Sequence, residues 1–170
     1  KGVEIKTGAV FSVDISKNWT HATIAVANEK DGKQQTELVQ TFVNPTENTL
    51  YNRIIELSQK HSPRAIALDD RQLPGLGKRL KLVGLPVWQL WTKEVSAACS
   101  VAYSLFSTEM VEHNGDPLLQ VQSPNGVTKY LGESWLITRK ESLGEIDALM
   151  ATIFAIYVSS RAQKGQIGVF

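Results

Sequence analysis

Asp14, Asp69 and Asp147 each stand within or beside an apolar run: VFSVDIS, RAIALDD and EIDALMATIFAIY. An ionised carboxylate in such surroundings is costly unless it is paired, hydrogen-bonded or bound to a cation. Three of them, far apart in sequence and each at the edge of a core element, point to one acidic cluster assembled by folding. Such a cluster suits a hard divalent ion such as Mg²⁺ or Mn²⁺, which prefers oxygen ligands and keeps waters for a phosphate substrate to displace. The chemistry is phosphodiester cleavage, with two ions roughly 4 Å apart, one preparing the attacking water and the other stabilising the leaving oxygen. Asp14 is the expected bridging ligand, Asp69 the ligand of one ion and Asp147 that of the other, with Asp70 in reserve. Taken singly, each has a structural use: Asp69 or Asp70 can start a turn, Asp147 can complement its helix N-terminus, and Asp14 can satisfy turn amides.

Cationic and aromatic residues offer candidate contacts to nucleic acid. Lys78, Arg79, Lys81, Lys93, Arg139 and Lys140 either meet DNA phosphates or form solvated faces. Arg139 and Lys140 are the nearest of these in sequence to Asp147. His113, in an Asn-Gly turn, is either exposed or a proton acceptor close to the site. Trp19, in the loop after Asp14, is the candidate for stacking on a base, whereas Trp88 and Trp91 read as packing. His21 and His61 read as incidental. Cys99, the one cysteine, reads as a small core residue and excludes an internal disulfide or a cysteine zinc site.

The elements that must position these residues follow from the hydrophobic pattern. Ala9–Ile15, His21–Ala27 and Glu37–Val43 alternate as strands joined by short turns, an antiparallel meander. A helix runs from Asn44-Pro45-Thr46 through Lys60, and Arg64–Leu68 is an apolar strand buried on both faces. A helix over about 75–83, a strand over 85–90 and a helix over about 93–107 follow. Met110–Gln122 reads as a hairpin of two short strands around His113-Asn114-Gly115-Asp116-Pro117, with loop continuing to about Glu141. Ser142 and Glu145 form a capping-box pattern opening the last helix, which fades at Ser159–Arg161 into a loose tail. The order predicts a mixed α/β sheet, a three-strand meander plus parallel strands, with helices on both faces and an extra β-hairpin. Ligands in open α/β sheets bind outside the carboxyl ends of strands, where Asp14 and Asp69 fall.

Composition fits this picture. The chain has 170 residues, 42% hydrophobic and 21% charged, with a formal net charge of +1. It is expected to form one domain over 1–170, with its core over about 9–160 and a flexible tail over 161–170. No apolar run is long enough for a membrane span. The start KGVEIKTG has neither an apolar signal region nor an initiator Met, which reads as a mature product or an excised domain. The mild charge balance does not itself identify a partner.

The segments VFSVDIS, AIALDD followed by LGKRLKLVGLPV, HNGDPLLQ, and RKESLGEIDALMATIFA resemble the nuclease domain of the large terminase subunit of tailed double-stranded DNA phages. The resemblance covers roughly Ala9 to Ser160 and is most specific in the last segment. It implies an RNase H-like fold related to the RuvC resolvases, and metal-dependent cleavage of concatemeric double-stranded DNA during genome packaging. The metal-binding acids carry over to Asp14, Asp69 and Asp147, and the hairpin at His113 to a family hairpin near the site. One departure is the loop SKNWT after Asp14, where related sequences often carry a further acid. The chain holds no G-x-x-x-x-G-K-[ST] phosphate loop, and GLGK at Gly75–Lys78 has the wrong spacing, so the terminase ATPase domain is absent from this sequence. That domain, the small terminase subunit and the portal are the partners the resemblance implies, in a host-cell cytoplasmic setting without secretion. The alternatives are a RuvC-like resolvase or RNA–DNA hybrid nuclease, an actin-like nucleotide-binding ATPase, and a noncatalytic DNA-docking module of a packaging motor.

Overall fold

The computed structural model describes residues 7–165, with side chains to Arg161. β1 (Val10–Ile15), β2 (His21–Lys30) and β3 (Lys33–Val43) form the expected meander. α1 (Glu47–His61) is capped by Thr46, whose side chain accepts from the Thr49 amide, and buries Leu50, Ile54 and Leu57 along one stripe. It ends at Ser62 in the left-handed region, immediately before Pro63. β4 (Ala65–Asp69), α2 (Pro74–Leu82), β5 (Val87–Leu90) and α3 (Thr92–Ser107) follow in the expected alternation.

β4 pairs in parallel with both β1 and β5, and the main sheet runs in the order β5-β4-β1-β2-β3-β6, where β6 is Val111–His113. Both faces are covered, which is why β1 is apolar almost throughout. Phe11, Val13, Ile66 and Leu68 pack under α1 and α2 on one face. Val10, Ala65 and Ala67 pack under α3 and α5 (Asp147–Gly165) on the other. Ser12 shares this second face and donates its hydroxyl to the Ala151 carbonyl at 2.5 Å. The strand alternation therefore decides which helical layer each polar residue meets.

Four segments differ from expectation. Met110–Gln122 is not a hairpin: only Val111–His113 is a strand, and α4 (Pro117–Gln122) follows. Asp116 caps α4 through the Leu118 amide and Pro117 takes its first position, so Asn-Gly-Asp-Pro ends a strand and opens a helix. The expected hairpin exists later, within 123–141, as β7 (Val127–Leu131) and β8 (Ser134–Thr138), paired around Gly132 at φ 66°. Ser142 does not cap the last helix, which starts at Asp147; its hydroxyl donates to Thr138 instead. α5 continues past Arg161 to Gly165, and the rest of the expected loose tail, 166–170, lies outside the described residues. No helix among the described residues is long and apolar enough to cross a membrane.

Candidate metal centre

Register brings the acids together. Val13 pairs with Leu68 across β1 and β4, so Asp14 and Asp69 follow side by side at the carboxyl ends of two adjacent parallel strands. Asp14 pairs with Thr23 on β2, whose hydroxyl donates to Asp147 Oδ2 at 2.7 Å. All three carboxylates are buried, at 0%, 0% and 1% exposure. Asp70 is one residue further and therefore faces the opposite layer, where its Oδ1 accepts from Gln89 Nε2 beside Gly77. Asp70 is thus outside the cluster that Asp69 joins.

Arg139, the residue after β8, lies on these acids. Its Nη1 and Nη2 donate to Asp14 Oδ2 and Oδ1 at 2.8 and 2.6 Å, and Nη2 also reaches Asp69 Oδ2 at 3.2 Å. The side chain is 10% exposed, so the guanidinium expected on DNA phosphate is instead an internal counter-ion. Asp69 is further held by Arg71, through the Arg71 amide, Nε and Nη2 at 3.0, 3.0 and 2.8 Å. The hydrogen bond to Asp69 holds the Arg71 pKa above its ordinary value. Burial pushes the Asp14 carboxyl well up; Arg139 opposes this, and the charges of Asp69 and Asp147 add to it.

Gln122 and Thr23 carried no signal in the sequence that tied them to the site. Gln122, at the end of α4, is buried; its Oε1 accepts from the Ala148 and Leu149 amides at 2.8 and 3.2 Å, and its Nε2 donates to Asp147 Oδ1 at 3.0 Å. One side chain from a distant segment thus caps α5 and orients its first residue. Glu145, read as part of a capping box, turns to the loop after Asp14 and accepts from Thr20 Oγ1 at 3.1 Å, with His21 Nδ1 3.6 Å away. The loop lacking an acid of its own is therefore tied to one near Asp147.

The remaining candidates are spread out. Lys140 is exposed and, with Arg139, lines two cavities of about 200 and 160 Å³; Lys17 lines the smaller. Trp19 is half-buried at φ 57° against the α1–α2 layer. Lys78 is exposed on α2, and Arg79 pairs with Glu47 at 3.0 Å and stacks on Tyr51, both in that same layer. His113 does not approach the acids: β6 pairs with Gln34–Thr36, which face Ala27–Glu29 of β2, at the other end of the sheet from Thr23. Trp91, expected to pack, is 55% exposed at the start of α3, whereas Trp88 packs as expected. Cys99 is buried and its thiol pKa is raised by that burial.

An oxygen-only set of buried acids fits a hard divalent ion chemically. Among the described residues, however, no three His, Cys, Asp or Glu side chains form a ready-made metal cage. The Arg139 fork spans two of the three acids.

No family model and no curated protein sequence matches this chain. Solved structures do. The HK97 bacteriophage large terminase superposes with a TM-score of 0.76 at 14% identity over 92% of this chain, which spans 40% of that protein. The chain has the fold of a terminase nuclease domain. The large terminase nuclease of thermophilic phage G20c with bound magnesium gives 0.70 at 14% identity, over 92% of this chain and 84% of that one. The Thermus phage P74-26 large terminase nuclease domain gives 0.69 at 16% identity, over 99% and 88%. The G20c nuclease has also been solved with cobalt and with zinc. The mixed six-stranded sheet, its helices on both faces and the separate hairpin constitute an RNase H-like α/β fold.

Proposed function

We propose that this chain is the nuclease domain of a phage packaging motor, a divalent-metal-dependent endonuclease that cuts concatemeric double-stranded DNA. One observation carries the reading: three buried carboxylates meet at the carboxyl ends of β1 and β4 and the start of α5. The shared fold with phage terminase nucleases, one of them with bound magnesium, supports it.

Asp14, Asp69 and Asp147 would hold Mg²⁺ or Mn²⁺. Such an ion, when bound, would offer positive charge to the scissile phosphate and lower the pKa of a bound water. The protein's part is to keep the acids in place. Thr23 and Gln122 fix both oxygens of Asp147, Arg71 fixes Asp69, and the surrounding core keeps bulk water from the carboxylates. Lys17 and Lys140, which line a cavity with Arg139, would meet the DNA backbone without reading sequence. The ATPase domain, small terminase subunit and portal would act with this domain in the host cytoplasm.

The test is incubation of supercoiled plasmid with the protein and Mg²⁺ or Mn²⁺, with EDTA and Asp14→Ala controls. Nicking and linearisation with little sequence preference are expected. Absence of cleavage with every divalent ion would favour a DNA-docking module, and cleavage surviving Asp14→Ala would remove the acid mechanism.

A further inference from the structure

The three acids are not equally available. A carboxylate oxygen offers about two lone pairs. Asp69 has both oxygens filled: Oδ1 by the amide and Nε of Arg71, Oδ2 by Nη2 of Arg71 and Nη2 of Arg139. Asp147 accepts one donor on each oxygen, from Thr23 and Gln122, and so keeps a lone pair on each. Asp14 accepts a single guanidinium bond on each oxygen, from Arg139, and a further hydrogen bond from the Ile15 backbone, and so keeps less capacity than Asp147 but more than Asp69. The open coordination capacity therefore lies with Asp14 and Asp147.

Charge divides in the same way. Two guanidinium groups face three buried carboxylates, and both arginines are committed to the Asp14–Asp69 side. Asp147 is held by neutral donors alone. Nor is Arg139 a wandering surface side chain. It follows directly on β8, whose Leu136 is buried in the α3–α5 core.

We infer that the Arg139 guanidinium occupies the place of a second cation, so that the intact chain binds one divalent ion, at Asp14 and Asp147, where a chain without this arginine binds two. This rests on the metal-dependent reading above, but it leaves Asp69 to Arg71 and Arg139 and replaces the two ions expected from the sequence with one. A guanidinium is permanently charged and has a planar fork that matches carboxylate and phosphate alike. It can therefore balance Asp14 and Asp69 continuously, with no ion to be recruited to that side.

Titration calorimetry with Mn²⁺, without DNA, tests this on wild type, Arg139→Gln and Asp14→Asn. The expected counts are one ion, two ions and none. Equal counts in wild type and Arg139→Gln, whether one or two, overturn the inference. Because Arg139→Gln leaves buried carboxylates uncompensated and can fail to fold, electron paramagnetic resonance of Mn²⁺-loaded wild type gives an independent reading. An uncoupled single-ion spectrum is expected, and a spin-coupled manganese pair overturns the inference without any variant. Failure of every protein to take up Mn²⁺ in an Asp14-dependent way would instead remove the metal-dependent reading on which the inference rests.

Discussion

Thr23 stands directly across the β1–β2 ladder from Asp14 and gives its hydroxyl to Asp147 Oδ2 at 2.7 Å. A residue that ligates nothing thereby sets the approach of the last helix's acid to the first strand's. Thr23→Val keeps the branched shape and removes the donor. It is expected to cost about 1 kcal/mol of stability and to lower metal affinity roughly 10–100-fold. Calorimetry and thermal melts separate the two effects; unchanged metal affinity would show that Asp147 needs no such orientation.

Asp69 and Asp70 are adjacent in sequence but serve opposite faces of β4. Asp69→Asn is expected to reduce plasmid cleavage by roughly 100-fold or more, since it removes the carboxylate that anchors Arg71 and shares Arg139 with Asp14, and several kcal/mol of electrostatic support go with it. Asp70→Asn should change it by less than about threefold, under ~0.7 kcal/mol. Comparable losses in both variants would contradict the assignment.

The Asp14 carboxyl, raised by burial, gives a pH signature in the metal-free protein. Between the unfolded value, about 3.9, and the raised folded value, the native state binds more protons than the unfolded one. Stability from this group is then full at low pH, falls as pH rises through that window, and is flat above it. In EDTA, Asp14→Asn should therefore melt higher than wild type at neutral pH, by about 2–4 °C per kcal/mol relieved. The gap should close toward pH 4 and below. Adding Mg²⁺ should stabilise wild type and leave Asp14→Asn unmoved. A gap independent of pH would refute the account.

Lys17 and Lys140 line one cavity with Arg139, which contacts Asp14 and Asp69, whereas Arg79 is engaged by Glu47 and Tyr51 in the opposite layer. The double variant Lys17→Ala/Lys140→Ala should reduce the slope of log affinity for DNA against log salt by about 2. Arg79→Ala should leave it unchanged. A titration series in salt, read by fluorescence anisotropy, distinguishes these outcomes.

The acids were legible because a charge inside VFSVDIS or RAIALDD contradicts its surroundings, and the element order followed from periodicity. What surrounds the acids was not. Gln122 and Thr23 are ordinary residues until folding places them against Asp147. The role of Arg139 depends on the packing of β8 against α3, a long-range event that local pattern does not encode. Two departures from expectation, by contrast, have usable signals. Asp116-Pro117 is a helix start by capping and first-turn preference, and VTKYLGESWLIT carries a turn glycine between two β-rich runs.

Ser12 lies two residues before Asp14 on the same face of β1, and its bond to the Ala151 carbonyl falls one turn beyond Asp147. The strand thus acts as a ruler for the helix. Slippage by one residue would carry Asp147 about 1.5 Å along and about 100° around the axis, out of reach of its partners. Because the sheet and not the connection sets this phase, the stretch 141–144, between Arg139–Lys140 and Glu145, needs no fixed length for the acids to keep their positions.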